Sequence, residues 1–362
     1  MSVKTTLHNW WAASLIWIKT HPRKRLIVGG GILIGIALVV TAVALSRPLP
    51  AVDTTPIKVT KPAPKPKFYS PLTGELVENE AATKQAVTGI MIENSPDARP
   101  QSGLKEAGVV YEAIAEGGIT RFLAIYQHQK PQLIGPVRSV RMYYVDWIAP
   151  YQASVAHIGG SANALAEVRN GTYRDIDQFF NAPSYWRASD RAAPHNVYTS
   201  FEKLDALNQA KGFTTSEYKS FPRSDKKDAA LPAVTSIDIN FSSTWYNTHY
   251  DYVADTNSYT RSAGGELSAD REKGQIAPTV VVAMHVDMST ILEDGYRGSI
   301  TTTGSGKAEV FQNGKIIDGT WRKASRADAL ELLDASGKPL ELARGQTWIA
   351  AVPNDRGSVS WQ

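Results

Sequence analysis

The chain has no cysteine. That excludes disulfides, thiol catalysis, thiolate metal sites and a lipid carried on an N-terminal cysteine. An exported fold must then be held by its core alone, and 362 residues suffice for that. Acids are missing from the first 47 positions, where Lys4, Lys19, Arg23, Lys24, Arg25 and Arg47 carry +6; the whole chain carries +4, so residues 48–362 carry −2. The basic balance belongs to the N-terminal flank, and the rest lacks the positive field that nucleic-acid binding uses. A nucleophile elbow, a helical metal-ligand motif and a phosphate loop are also missing. No nucleic-acid partner, metal or cofactor is expected, and no internal repeat is found.

What is present begins with a membrane signal. Residues 26–45 run without a charge, long enough for a transmembrane helix. Lys19, Arg23, Lys24 and Arg25 precede the run and place that end in the cytoplasm. Ala42-Val43-Ala44 would suit a signal-peptide cleavage site, but the run exceeds a signal core of about 7–15 residues, which favours an uncleaved anchor. Residues 1–25 form a basic and aromatic cytoplasmic segment, with Trp10, Trp11 and Trp17 as interfacial anchors. Residues 46–67 hold Pro48, Pro50, Pro56, Pro62, Pro64 and Pro66 and read as a stalk. At about 3.1 Å per residue it reaches roughly 60 Å. The membrane is thus an expected partner, with the bulk of the chain extracytoplasmic.

The exported part reads as an α/β or α+β N-terminal domain (68–211), a polar linker (212–232) and a β-rich C-terminal domain (233–362). Strands are expected over 87–92, 109–116 and 119–126, the last two joined at Gly117-Gly118 as a two-residue hairpin. In that register Ile114 faces Arg121, and Glu112, Glu116 and Arg121 share one face, as a surface ion cluster or as one wall of a site. Asp175 to Ala193 is a loop rich in aromatics (Phe179, Phe180, Tyr185, Trp186), which suits a binding loop. Asp190 and Arg191 lead to Pro194-His195-Asn196, just before a helix capped at Thr199 with Glu202. In the C-terminal part Ile237, Ile239 and Phe241 alternate, and Asn313-Gly314, Asp318-Gly319 and Ser336-Gly337 punctuate hairpins. His285 and Asp287 fall on one strand face, as a structural pair.

The densest signal is Gly135 to Ser161. Pro136 suits a helix start, which would set Arg138 and Arg141 on one side of its first turns. Two cations opposing the helix dipole point to a bound anion. A strand over 153–158 then leads through Gly159-Gly160 to a helix capped by Ser161, leaving His157 at a strand's carboxyl end, where open α/β sheets hold ligands. The alternative pairs the arginines with local acids such as Asp146 and makes His157 a hydrogen-bonded core residue.

The runs Glu116-Gly117-Gly118-Ile119-Thr120-Arg121-Phe122, Gly135-Pro136-Val137-Arg138-Ser139-Val140-Arg141, His157-Ile158-Gly159 and Pro194-His195-Asn196-Val197-Tyr198 resemble the YerB-like lipoproteins, bacterial envelope proteins built on a domain of unknown function. The resemblance spans most of residues 68–353 and implies a two-part architecture and an exported location, without a reaction. The missing cysteine departs from the lipoprotein members and leaves the apolar helix as tether.

Three functions follow. The first is an envelope module binding an anionic or glycan cell-wall ligand through Arg121, Arg138, Arg141, Gly160, Ser161, Asp190, Arg191 and Asn196, with Tyr185 and Trp186 stacking on sugars. The second is a hydrolase with Glu112, Glu116, His157 and His195 as acid–base groups and an arginine clamp. A metal held by His157, His195 and a carboxylate would be a variant of it. The third is a scaffold for other envelope proteins.

Overall fold

Apolar runs such as Val280–Val286 and Thr347–Pro353, buried on both faces, form the middle of a large sheet rather than an outer layer. The computed structural model describes residues 22–46, 66–225, 231–290 and 298–362. The tryptophan-rich segment, nearly all of the proline stalk and Lys226-Lys227-Asp228 lie outside the described residues. The chain divides into residues 1–64 and 65–362.

The first unit contains helix α1 (Pro22–Leu45). Its side chains are described from Leu33 onward, and Leu33, Ile34, Ile36, Leu38, Val39, Val40, Val43 and Leu45 are all exposed. Among the described residues no helix is long and apolar enough to cross a membrane. The expected transmembrane span over 26–45, whose side chains are described only from Leu33, is thus not supported among the described residues.

The second unit starts its main sheet with β1 (Thr88–Glu93), β2 (Val109–Ile114) and β3 (Thr120–Tyr126). Helix α2 (Met142–Ile148), β4 (Ser154–Ala156), helix α3 (Ala162–Val168) and β5 (Arg174–Asp175) follow, then helix α4 (Phe201–Ala210). Next come β6 (Ser236–Asn240), β7 (Thr248–Val253), β8 (Ser258–Ala263) and β9 (Glu266–Leu267). The chain ends with β10 (Val280–Val286), β11 (Gly304–Gln312), β12 (Lys315–Lys323), β13 (Glu331–Leu333), β14 (Thr347–Pro353) and β15 (Ser358–Trp361). One mixed sheet of ten strands has the order β13-β12-β11-β10-β14-β2-β3-β1-β4-β5. Its seam is the parallel pair β14–β2, with Trp348 beside Val110 and Ala350 beside Glu112. The two parts expected as separate domains thus share one sheet. An antiparallel sheet of five strands, β9-β8-β7-β6-β15, contributes Ile237, Ile239, Phe241, Tyr250 and Tyr259 to a core shared with Phe122, Val281 and Trp348. The other core packs Tyr143, Tyr144, Trp147 and Ile148 of α2 against Tyr111, Leu123 and Val155.

Local chemistry places the turns. Asn313 and Gly314, at φ 55° and 66°, close the β11–β12 hairpin. Asp318-Gly319, expected as a turn, lies inside β12, where Gly319 lets the Leu333 carbonyl approach. Ser200, rather than Thr199, caps α4, its side chain accepting from the Lys203 N–H at 3.3 Å, while Thr199 ends a short strand.

Candidate functional site

The segment 135–141 is extended, and the expected helix begins only at Met142. Its backbone is claimed from both sides: Arg138 N–H donates to Met91 O at 2.8 Å and Ile158 N–H donates to Arg138 O at 3.1 Å. Val140 N–H donates to Gly159 O at 3.0 Å. Strand-like pairing therefore wins over a local helix, and residues three apart no longer share a face. Arg138 and Arg141 turn to different carboxylates.

Arg138 Nε lies 3.2 Å from Glu93 Oε1, and His195 Nδ1 approaches the same oxygen at 2.9 Å. Ser95 Oγ donates to it at 3.0 Å. Glu93 is buried at the carboxyl end of β1. Sequence reasoning missed it, although an acid closing a central strand just before an Asn-Ser-Pro-Asp turn was the available signal. His195 Nε2 points outward, 3.9 Å from the exposed Asp97 carboxylate. Among the described residues no protein acceptor is found for the terminal nitrogens of Arg138, whose side chain is 26% exposed.

Arg141 and Arg121 converge instead on Glu116. Arg141 Nε bonds Glu116 Oε1, and Arg121 NH2 lies 3.2 Å from Oε2. Burial pushes the Glu116 carboxyl up, but the hydrogen bond from Arg141 and the charges of both arginines outweigh it and leave the group below its usual value. The hairpin explains the trio. Ile114 pairs with Thr120 and Ala113 with Arg121, so the register is one residue off the expected one. Ala115 N–H donates to Ile119 O at 2.7 Å and Ile119 N–H to Glu116 O at 2.9 Å, which leaves Glu116 as an extra bulged residue. Gly117 and Gly118, at φ 60° and 77°, make the turn. The bulge puts Glu116 on the side of Arg121 and leaves Glu112 on the opposite face.

Glu112 is fully enclosed. Arg261 NH2 donates to both its oxygens at 3.0 and 2.8 Å, Trp348 Nε1 donates at 2.9 Å and Thr120 Oγ1 at 2.9 Å. Acid–base chemistry on a solvent-borne substrate is thereby denied to Glu112, which ties β2 to β8. His157 is also fully buried, with Nδ1 2.8 Å from Gly159 O and Nε2 3.1 Å from Asp175 Oδ1. It meets neither His195 nor the arginine pairs, so no shared His157–His195 metal site forms. His285 pairs with Glu309 at 2.9 Å and not with Asp287, which binds Asn354.

The remaining expected ligands divide. Arg141 and Ser161 line one small cavity of about 80 Å³ with Asp146 and Asn163. Ser161 stands at the N-cap position of α3 without a capping hydrogen bond, its hydroxyl donating to Asn163 Oδ1 at 2.7 Å. Gly160 packs too closely on Val140 to admit a Cβ, which would lie 2.8 Å from Val140 Cγ1. Asp190 pairs with Arg271 at 2.6 Å, Arg191 donates to Asp97 O and Pro100 O, and Asn196 accepts from Arg187 at 2.8 Å. These three shape the loop that presents His195. Tyr185 is buried and donates to Ile176 O, so it cannot stack on a sugar, and Trp186 is half-buried. The exposed aromatics of the loop are Phe179 and Phe180. Phe179 sits over the Gly159 turn, 3.5 Å from where a Cβ would stand, and Arg169 covers Phe180 with its Cζ 5.0 Å from the ring centroid.

Residues 72–214 match the family described as "Protein of unknown function (DUF3048) N-terminal domain" and residues 237–349 its C-terminal domain. The chain belongs to the DUF3048 family. It is 34% identical to a Bacillus subtilis (strain 168) protein named "Putative lipoprotein YerB" over 300 residues, 81% of this chain and 89% of that one. The crystal structure of the Bacillus subtilis YerB protein matches with a TM-score of 0.72 at 30% identity, covering 81% of this chain and 100% of that one. The resemblance read from the arginine and histidine motifs is thus confirmed, as is the mixed α/β architecture with a β-rich C-terminal part.

Proposed function

We propose that this DUF3048 protein is a membrane-tethered envelope protein that works outside the cytoplasm and binds a glycan or anionic cell-wall ligand. The binding face comprises Phe179, Phe180, Gly159, Ser139 and Arg138. The carrying observation is the exposure of Phe179 and Phe180, 64% and 75%, beside a glycine turn. Adjacent aromatic rings held out into water, with the Arg169 guanidinium over Phe180, suit a sugar, which offers apolar ring faces and a polar rim. The Ser139 Oγ lies 3.9 Å from the Gly159 Cβ position, which links the rings to the Arg138 segment. The tether rests on the uncharged run 26–45 and its basic flank.

The test is co-sedimentation of the detergent-solubilised chain with purified wall sacculi, with and without their anionic polymers. A Phe179→Ala, Phe180→Ala double variant should lose sedimentation in both cases, and Arg138→Ala mainly where the polymer is present. Unchanged sedimentation of the double variant defeats the reading. Protease added to intact cells should cleave residues 66–362 and spare an N-terminal tag.

A hydrolase is the second reading, favoured by one observation. Glu93 holds His195 Nδ1, so Nε2 faces outward as a base would. Release of soluble fragments from sacculi by the wild type but not by His195→Asn would support it; equal release would end it.

A further inference from the structure

Strands β4 and β5 are parallel with Val155 beside Asp175, and the alignment continues beyond them, Gln178 N–H donating to His157 O at 2.9 Å. By alternation His157, Asp175 and Asp177 project to one face. One donor atom from each, an imidazole nitrogen and two carboxylate oxygens, lies within 4.8 Å of the others. His157 and Asp177 are fully buried and Asp175 partly so.

Hydrogen-bond rules fix the tautomer. Nδ1 stands 2.8 Å from the Gly159 carbonyl oxygen, which only accepts, so Nδ1 carries a hydrogen. Nε2 then faces Asp175 Oδ1 at 3.1 Å, and a bare lone pair against a carboxylate oxygen is repulsive. A positive centre must join them: a proton or a metal ion. An imidazole whose Nδ1–H is held by a backbone carbonyl while Nε2 faces carboxylates is the arrangement of a metal-ligating histidine. A nitrogen and an oxygen on adjacent positions of one ion, each with a bond of about 2.1 Å, come roughly 3 Å apart, which matches.

Arg169 covers the outer oxygens, with Nε 3.6 Å from Asp175 Oδ2 and NH2 bonded to Asp177 Oδ2. A third of its side chain is exposed, and its guanidinium already lies over the ring of Phe180. With Nε2 bare, two carboxylates and one guanidinium leave a net negative charge, which either a proton on Nε2 or a metal ion offsets. A divalent cation balances both carboxylates once Arg169 moves aside. We infer that His157, Asp175 and Asp177 form a site for a divalent transition-metal ion, zinc or manganese, in which Arg169 is the resident counter-ion that the metal displaces. One imidazole and two carboxylates suit these borderline ions and leave positions for water. The inference stands apart from the cell-wall reading, since it concerns metal uptake alone.

The experiment is calorimetric titration of Zn²⁺ and Mn²⁺ into the full chain, solubilised and stripped with chelator. One ion per chain should bind. Asp175→Asn and Asp177→Asn should each weaken binding by at least tenfold, and Arg169→Gln should tighten it by about tenfold, the scale of changes next to a metal. Circular dichroism and urea midpoints establish that each variant is folded. Asp175 lies at the sheet edge, so its variant remains informative if Asp177→Asn unfolds. A cluster held by an imidazolium alone predicts no tightening on loss of Arg169. The proposal is overturned if neither the wild type nor Arg169→Gln binds metal, if Asp175→Asn leaves binding unchanged, or if nitrogen-15 spectra show the His157 Nε2 proton retained with excess Zn²⁺.

Discussion

Arg261 and Glu112 meet at 2.8 Å inside the sandwich, both fully buried, and join β8 of the five-stranded sheet to β2 of the ten-stranded one. The guanidinium also lies 4.7 Å from the Trp348 ring centroid. Each partner is costly to bury alone, and together they satisfy one another.

Glu112→Gln should therefore destabilise the fold by about 3–5 kcal/mol, because it leaves Arg261 buried without its counter-ion. Replacing both residues by leucine should recover a large part of that loss. Urea denaturation measures both. If Glu112→Gln unfolds at the wild-type midpoint but abolishes a wall-directed activity, Glu112 is catalytic and this assignment is wrong.

Glu116 makes stability depend on acid pH. Its carboxyl lies below the ordinary value of 4.5 in the folded chain, so the arginine pairing contributes above that value and is lost as pH falls through the folded value. Glu116→Gln should flatten the decline in urea midpoint on the acid side of pH 4.5 and leave the slope above neutrality unchanged. An identical acid slope in the variant would exclude this role.

Phe180 and Phe201 should behave as opposites. Phe180 is 75% exposed, so Phe180→Ala should shift stability by less than about 1 kcal/mol, including the lost contact with Arg169. Phe201 is buried against Tyr126 with ring centroids 5.2 Å apart, and Phe201→Ala should cost about 3–5 kcal/mol. Thermal unfolding of the two variants checks the contrast.

Gly319→Ala should cost roughly 1–3 kcal/mol, because the added Cβ would stand 2.3 Å from the Leu333 carbonyl oxygen and force β13 away from β12. Amide exchange should rise first along β13. Gly337→Ala, with open space around it but φ 82°, tests backbone strain without a clash.

The order of elements was legible from local signals. Alternation at Ile237, Ile239 and Phe241 reports one buried strand face, and Asn313-Gly314 reports a hairpin, because both depend on neighbours in the chain. The basic flank, the uncharged run and the absence of cysteine likewise needed no coordinates. The family motifs were legible for the same reason.

Long-range choices were not. A single bulged residue moved Glu116 across the sheet from Glu112, and an alternation rule cannot count a bulge before the partner strand is known. Pro136 is as compatible with extended chain as with a helix start, and only Met91 and Ile158 on either side decided for extension. Glu116 was anticipated as a neighbour of Arg121, but its pairing with Arg141 and the partners Glu93 and Asp175 were beyond local pattern, since charge pairing acts through space. The amino-acid sequence by itself determined most strands and helices and the candidate tether, because those preferences are set within a few residues; the segment from Pro136 and the Asp318-Gly319 dipeptide are the exceptions, decided by their partner strands. Tertiary structure alone decided which polar groups meet and which remain open to a ligand, because that depends on register and on contacts between residues far apart in the chain.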